Sequence, residues 1–441
     1  MAQTSSTVSA MSPSRAATRN HRWFAMPVAV SLVIVIAVTW AFGIRETKPL
    51  FTLRSLVGPT TQSLLHGGGL TVCTEVMGTP GNPICFHSAR MPIPTLVVAL
   101  GISLLGNHYL RVAFFKALLL LFPLELAMYL AWRRMPDQTP RRITAIFLLL
   151  APFAVPAFLA CVVNMQVEEG YTYSLLALAV AILFFAEELD LPLTLLFAVT
   201  LDCLFLSKSS MAPAVIVLLI GYLRMQHRWK LHLLATALIL TAPVGWAIYQ
   251  HHAGGRYSLG TSLDGLNLHK GNNAAFLDHY PPAPGETLDG FDRDLNRGLH
   301  FGDEWSFNDY HLHAAVEYMR LHPRETLRGD LRKLEVALVS IRKIGSRQEH
   351  GAMLAWEVAS LVFFRLMLWT AILGALYAAT RPALPGDPSL RTASWLFLAL
   401  VAACLLPYIA GFAYTRHVSV LIYPAALMCC RMLTHTGQVS R

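Results

Sequence analysis

The sequence predicts an all-α polytopic membrane protein with about 10–11 transmembrane helices, a short re-entrant or interfacial helix and a large extracytoplasmic loop. Of its 441 residues, 55% are hydrophobic and 14% are charged, and the mean hydropathy is +0.48. This composition lies far from that of a soluble domain, in which about 25% of residues are charged. Runs with the ~20 apolar residues that a helix needs to cross ~30 Å of hydrocarbon lie at 23–43, 109–132, 143–163, 232–250, 356–379 and 394–413.

Four shorter apolar runs have the length of spans that are buried among neighbouring helices, at 172–186, 192–206, 211–223 and 418–433. The runs divide the chain into five parts. These are a cytoplasmic basic tail 1–22, a transmembrane core 23–250 with a first outer loop 44–90, an extracytoplasmic loop 251–355 with an amphipathic helix, C-terminal transmembrane helices 356–433, and a cytoplasmic tail 434–441.

The basic residues predict the orientation of these spans. The net charge of +9 comes largely from Lys and Arg clusters in short loops, including 133–142 and 224–230, and such clusters mark the cytoplasmic side. This explains the charge without a nucleic-acid partner. Alternation from these loops places 251–355 on the outer side. The first run is longer than a signal-peptide core of ~7–15 residues and is therefore expected to be an uncleaved anchor.

The run at 93–106 does not fit the alternation, because the segments before and after it must both lie on the outer side. It is short for a span and is typical of a re-entrant or interfacial helix. Cys73 and Cys85, in the first outer loop, flank a turn-rich segment and favour a disulfide in an oxidising compartment. No cysteine or histidine spacing indicates a structural metal, and no cofactor is expected, with a divalent metal as an alternative that the sequence does not indicate.

Charged residues from distant segments are predicted to gather at the outer face. Charges near the membrane boundary are costly and tend to line a cavity or substrate path, which favours a site facing outward. The alternative is that each charge is an ordinary solvated loop residue. Outside the loop 251–355, the set consists of Glu46, Glu75, His87, Arg90, Glu168, Glu169, Lys208 and Arg416.

Several segments, in order along nearly the whole chain, resemble the GT-C superfamily of polyprenyl-phosphate-sugar-dependent glycosyltransferases, which includes protein O-mannosyltransferases and the lipid A aminoarabinose transferase. SARMPIP, which begins at residue 88, is similar to the family's Arg-x-Pro-x-Pro segment, and a Gly break and second helix follow it to residue 121. The segments 162–184 and 201–223 resemble an outer-loop acid at a helix start and a basic residue between two spans.

The later part of the chain continues this resemblance. The segments 314–334 and 415–424 look like the family's His-Pro break with a basic helix and its terminal Arg region. A Gly/Asn pattern lies in the polar passage 261–284 (TSLDGLNLHKGNNAAFLDHYPPAP) and consists of Gly265, Asn267, Leu268, Gly271, Asn272 and Asn273.

The resemblance implies an enzyme that transfers a sugar from a polyprenyl-phosphate donor to an acceptor hydroxyl at the outer face of the membrane. It implies a bacterial inner (plasma) membrane protein whose site faces the periplasm, embedded in the lipid bilayer, with an unknown glycan, lipid or protein as acceptor. Two alternatives stay open: a transporter or flippase of a lipid-linked sugar, and a catalytically inactive relative.

One departure from the family pattern concerns the catalytic base. Family members usually carry an Asp in the first outer loop, where this chain reads LRSLVGPT before residue 61. Transfer to a hydroxyl needs a carboxylate that takes its proton. Glu75, inside the Cys73–Cys85 segment, is the first candidate and Glu46 the second, and Glu168 or Glu169 would be the next.

Three cations are candidates for the donor phosphate, since guanidinium and ammonium groups stabilise developing negative charge: Arg90, Lys208 and Arg416. For Lys208, pairing with a nearby Glu is the structural alternative. The predicted contacts to the substrate are Glu168, Glu169, Asn267, Asn272 and Asn273. For the asparagines, the alternative is an ordinary surface loop with turn residues.

The segment beyond Pro323 predicts an amphipathic basic helix. Apolar residues recur at intervals of three and four, with arginines around them. We expect it at the membrane interface, with packing on the spans as the alternative. The stripe consists of Leu327, Leu331, Leu334, Leu338 and Ile341.

Overall fold

A computed structural model describes most of the chain, and its helices confirm the all-α polytopic fold of an integral membrane protein. The described residues are 14–43, 56–76, 79–136, 138–165, 167–186, 188–226, 228–283, 288, 290–344, 351–380 and 388–436.

Apart from one short hairpin, the regular elements of the described chain are helices. The N-terminal half contains α1 (Ser14–Gly43), α2 (Val57–Leu65), β1 (Val72–Glu75), β2 (Pro83–Phe86), α3 (Pro92–Leu105), α4 (Tyr109–Arg133), α5 (Thr139–Leu150), α6 (Pro156–Val163), α7 (Glu169–Phe185), α8 (Leu191–Ser207), α9 (Ala212–Met225), α10 (Trp229–Ile239) and α11 (Thr241–Gly254). The C-terminal half contains α12 (Asp264–Lys270), α13 (Phe276–His279), α14 (Gly290–Asn296), α15 (Glu304–Leu321), α16 (Pro323–Leu338), α17 (Ala352–Thr380), α18 (Pro388–Ala410), α19 (Thr415–Val418) and α20 (Ile422–Thr436).

The ten predicted apolar runs coincide with helices of the structure. In the described part of the chain, six helical stretches are long and apolar enough to cross a membrane, or seven if one bent pair counts as a span. The helices α7, α8 and α9 are shorter, as their apolar runs predicted, and α3 forms at the run expected to be re-entrant or interfacial.

The bent pair corrects the prediction of one continuous span over 143–163. The helices α5 and α6 meet at an angle of 65°. Proline at position 156 lacks a backbone N–H, and it pushes Val155 into an extended conformation with φ −94° and ψ 110°. A straight helix cannot pass this point, so the chain turns.

Helix α7 lies at the centre of the bundle. All of its residues except Leu175 are buried, and it packs against α4, α8 and α20. Protein surrounds it on every side, which explains how so short a helix can be uniformly apolar. The central position has a consequence for the site, because Glu168 and Glu169 stand at its N-terminal end, on the axis of the bundle.

The first outer loop contains an antiparallel hairpin of β1 and β2, in which Cys73 and Cys85 pair across the strands and form the expected disulfide. The hairpin packs against α15 through the rings of Phe86 and Phe307, whose centroids are 5.6 Å apart in an edge-to-face arrangement. It is thereby attached to the segment that follows α11.

Helix α16 forms where the amphipathic basic helix was predicted. Its buried face contains Gly329, Lys333, Val336 and Ala337, whereas Leu327 and Leu331 of the predicted stripe are 60% and 58% exposed. The buried ammonium of Lys333 determines this orientation, because it donates to the carbonyl of Ile409 at 2.9 Å and pairs with Asp330 at 3.1 Å. The apolar stripe therefore remains open toward the surroundings of the protein.

Candidate active site

A cavity of about 700 Å³ opens where the N-terminal end of α7, the turn between α8 and α9, helix α12 and the segment 407–417 meet. Its volume falls in the range of small-molecule sites. The walls combine apolar residues from several segments with charged and polar side chains: Arg90, Glu168, Glu169, Lys208, Ser209, Asp264, Asn267, Tyr408, Arg416 and His417.

Glu169 is the most heavily paired carboxylate of the cavity. Its Oε1 lies 2.7 Å from Nζ of Lys208, 3.3 Å from Nε of Arg416 and 3.4 Å from Nε2 of His417. The Glu169 side chain is only 6% exposed, so the cations offset the cost of burying its charge. It serves to hold Lys208 and Arg416 in place.

Glu168 forms a second node of the same network. Its Oε1 lies 3.1 Å from Nη1 of Arg90 and 3.5 Å from Nζ of Lys208. Lys208 thus bridges both carboxylates, and the structural alternative considered for it, pairing with these glutamates, is what the structure shows. It also lines the cavity, so it lies within reach of a ligand while its position is fixed.

The two arginines differ from Lys208 in accessibility. The side chains of Arg90 and Arg416 are 40% and 39% exposed, whereas that of Lys208 is 11% exposed. The backbone of Arg416 is held by Tyr173, whose hydroxyl donates to the Arg416 carbonyl. Its guanidinium lies 5.0 Å from the ring centre of Tyr414. Two positioned guanidinium groups are therefore open to a ligand that carries negative charge.

Asp264, the first residue of α12, is the third carboxylate of the cavity. Its Oδ1 accepts hydrogen bonds from Thr261 Oγ1 at 2.8 Å and Ser209 Oγ at 3.2 Å, and its Oδ2 accepts from the backbone N–H of Thr261 at 2.7 Å. Burial, together with the charge of Glu168, raises the pKa of Asp264 above its usual value, although these hydrogen bonds oppose the shift. The sequence analysis did not single out this residue, although it lies in the polar passage 261–284.

Of the three predicted asparagines, only Asn267 lines the cavity. The amide of Asn272 donates to the carbonyls of Leu268 at 2.8 Å and Ala410 at 2.6 Å. Asn273 donates to the carbonyls of His269 and Lys270. Asn272 and Asn273 therefore lie outside the cavity wall, with their side-chain amides bonded to backbone carbonyls. Their amides hold the backbone that follows α12 together, because a buried helix end must satisfy its carbonyls.

The structure places the first-choice base, Glu75, away from the cavity. It ends strand β1, is exposed, and accepts a hydrogen bond from the backbone N–H of Gly81 at 3.3 Å. The disulfide does restrain the hairpin, but the carboxylate belongs to the hairpin turn and not to the cavity wall. Glu46, the second choice, lies outside the described residues.

A histidine pair joins α12 to α15 behind the cavity wall. Nδ1 of His269 lies 2.9 Å from Nδ1 of His311, and Nε2 of His311 lies 3.0 Å from Oδ1 of Asn296. One ring must donate and the other accept, so the contact is lost when both rings are protonated. Burial lowers the pKa of His269 to about 4, and burial with the charges of His269 and Lys270 lowers that of His311 to about 3.

We expect stability to fall as the pH decreases from about 6.5 toward 4, because the unfolded chain binds protons there that the folded pair does not. Above the unfolded pKa the contribution is complete, and below it each histidine adds a slope of up to about 1.4 kcal/mol per pH unit. The unfolding free energy of the detergent-purified protein is measured from pH 8 to pH 4. It should depend less steeply on pH in His311→Gln than in the wild type. An unchanged slope in that variant would contradict the assignment.

The similarity of this chain to known proteins is distant. No protein-family model and no curated protein sequence matches the chain. Among solved structures, the chain is similar to ArnT from Cupriavidus metallidurans in the apo state, with 14% identity and a TM-score of 0.39 over 95% of this chain and 77% of that chain. It is similar to the same protein bound to undecaprenyl phosphate, with 15% identity and a TM-score of 0.39 over 95% of this chain and 78% of that chain. Both similarities extend over nearly the whole of this chain, at low identity and low TM-score.

Proposed function

We propose that the protein is a membrane glycosyltransferase that moves a sugar from a polyprenyl-phosphate donor to an acceptor hydroxyl, in a cavity that faces the outer side of the membrane. The observation that carries the proposal is the network in which Glu168 and Glu169 hold three cations at the wall of a cavity of about 700 Å³. One of the ArnT structures contains undecaprenyl phosphate, a lipid phosphate of the proposed class.

The chemistry requires cations at the leaving group. As the bond between the anomeric carbon and the phosphate oxygen breaks, negative charge develops on the lipid phosphate, and fixed cations stabilise it. Arg90 and Arg416 present accessible guanidinium groups, whose paired N–H donors match phosphate oxygens. Lys208 is held by two carboxylates and supplies a positioned charge between them.

The remaining walls suit a sugar with an apolar carrier. Asn267 offers an amide donor and acceptor, and Tyr408 offers a ring that stacks on His417 at a centroid distance of 4.5 Å. Leu259, Leu312 and Phe412 contribute apolar surface to the same cavity. We propose that the sugar lies among the polar groups and that the lipid chain leaves along the apolar residues.

The test of the function is a transfer assay. Purified protein in lipid nanodiscs is given a panel of radiolabelled polyprenyl-phosphate sugars together with cell-envelope extract, and the label is followed into lipid, glycan and protein fractions. Transfer that depends on the protein supports the proposal. A parallel assay places the protein in sealed vesicles. If the labelled sugar crosses their bilayer while still attached to its lipid carrier, the protein is a flippase. Donor binding without transfer or transport would identify an inactive relative.

The accessible guanidinium of Arg416 gives a specific prediction for donor binding. Arg416→Gln should weaken the binding of undecaprenyl phosphate about 10- to 100-fold, the loss expected for hydrogen bonds to a charged group worth about 1.5–3 kcal/mol. Arg416→Lys should retain part of the affinity because it keeps the charge without the planar fork. The matched control is Arg297→Gln, which removes an exposed arginine paired with Asp294. Equal affinities for Arg416→Gln and the control would exclude this role.

A further inference from the structure

Among the described residues, three carboxylates line the cavity, and they differ in their pairing with cations. Glu169 lies against Lys208, Arg416 and His417, and Glu168 against Arg90 and Lys208. Oε1 of each glutamate is occupied by these cations. The two glutamates are therefore suited to holding the cations in place.

Asp264 has a different environment. Within the described part of the chain, no lysine or arginine forms an ion pair with it, and its partners are the neutral donors of Thr261 and Ser209. Its Oδ2 accepts one hydrogen bond from these residues, and a carboxylate oxygen has two lone pairs. One lone pair of Oδ2 thus remains for an incoming proton.

The backbone around Asp264 is built to accommodate the carboxylate. A Cβ atom at Gly260 would lie 2.3 Å from Oδ2, so a side chain at this position would displace the carboxylate. On the other side, Oδ1 accepts a hydrogen bond from Ser209, the residue that directly follows Lys208. This hydrogen bond places the carboxylate beside the turn that carries the leaving-group cation, on the wall of the same cavity.

We propose that Asp264 is the general base of the transfer. The inference rests on the proposed function. The acceptor oxygen forms a bond with the anomeric carbon, the bond between that carbon and the phosphate oxygen breaks, and its electron pair leaves with the lipid phosphate. The proton of the acceptor hydroxyl passes to Oδ2 of Asp264.

The microenvironment supports this assignment. Burial raises the pKa of Asp264, which increases its affinity for a proton relative to an exposed aspartate. Ser209 and Thr261 are positioning residues, because they fix the direction of the carboxylate without contacting the reacting atoms. Gly260 serves the same purpose by leaving space.

The experiment compares Asp264→Asn with the wild type in the transfer assay, using a donor that the wild type accepts. We expect kcat to fall about 100- to 10,000-fold, the contribution typical of a positioned base. The KM for the donor should stay within about 3-fold of the wild type, since Asp264 does not contact the phosphate. Asparagine keeps one oxygen that can accept from the hydroxyls of Thr261 and Ser209, but its NH2 group cannot accept from the backbone N–H of Thr261. The unfolding of this variant is therefore measured together with its kcat. Asp294→Asn, at an exposed position, is the matched control.

The pH profile distinguishes a base from a structural residue. Wild-type kcat should fall as the pH drops through the pKa of the base, and the residual activity of Asp264→Asn should lack that acidic limb. Asp264→Glu should have a lower kcat than the wild type and should still lose activity at acidic pH. An unchanged kcat in Asp264→Asn would overturn the proposal. So would a loss of undecaprenyl-phosphate binding in both Asp264→Asn and Asp264→Glu. A third contrary result would be that Glu75→Gln is inactive while Asp264→Asn is active. A wild type that transfers no sugar refutes the proposed function instead, and the two failures are therefore distinct.

Discussion

Lys208→Met is expected to destabilise the protein by about 3–5 kcal/mol, because it removes the ammonium that two buried carboxylates share. The side chains of Glu168 and Glu169 are 12% and 6% exposed, and Nζ lies 3.5 Å and 2.7 Å from their oxygens. Breaking a buried pair costs more than the pair contributes, since the remaining charge loses its partner without regaining water. Arg416 and His417 stay beside Glu169 and should keep the loss from being larger.

The loss can be measured by unfolding the detergent-purified variant with increasing SDS. The double variant Lys208→Met with Glu169→Gln should recover part of the stability, because the carboxylate that loses its nearest cation is then neutral. Arg332→Gln is the control, since it breaks an exposed pair with Glu335 and should change stability by less than about 1 kcal/mol. If Lys208→Met is no less stable than this control, the network is not the support of the site that the distances indicate.

Gly271→Ala should be as damaging, for a steric reason. A Cβ atom at Gly271 would lie 1.7 Å from the carbonyl oxygen and 2.4 Å from the carbonyl carbon of Gly411. Both groups belong to backbone, so neither can rotate away, and α12 must move relative to the segment 407–417. We expect a loss of about 3 kcal/mol or more, at the upper end of overpacking effects, and an additional loss of transfer activity because Asp264 and Arg416 lie on opposite sides of this contact.

The matched control is Gly302→Ala in the same extramembrane segment, where an added Cβ meets nothing within 4 Å. It should leave unfolding and donor binding at wild-type values. The two alanine variants carry the same chemical change. A difference in stability between them therefore measures the effect of the close approach between Gly271 and the backbone of Gly411. Equal stability of both variants would show that α12 and the segment 407–417 can separate without cost.

Much of the architecture could be predicted because hydropathy is a local property. Every apolar run is helical, with the runs 143–163 and 232–250 each divided between two helices, since a backbone in hydrocarbon must satisfy its own hydrogen bonds. The break between α5 and α6 also has a local cause in the sequence, Pro156. The prediction of one continuous span over 143–163 rested on the apolar length of the run instead. The buried face of α16 could not be predicted from the sequence, because the ammonium of Lys333 donates to the carbonyl of Ile409 on α18, which is far along the chain.

The site was predictable in part for the same reason. Arg90, Glu168, Glu169, Lys208 and Arg416 line one cavity, as expected of charges that alternation places at one face of the bundle. Their roles in catalysis stay predictions. Topology gives the side of the membrane on which a residue lies, but it does not give the direction of the side chain. The sequence analysis therefore chose Glu75 as the first candidate base and did not single out Asp264.

The sequence by itself determined that this is a helical membrane protein, because this property depends on local composition along the chain. Only the tertiary structure decided how the charges of the cavity are distributed. Packing places Glu168 and Glu169 against cations and Asp264 against the hydroxyls of Ser209 and Thr261. The proton affinity of a carboxylate depends on such neighbours, which come from segments far apart in the chain, and no local pattern records them.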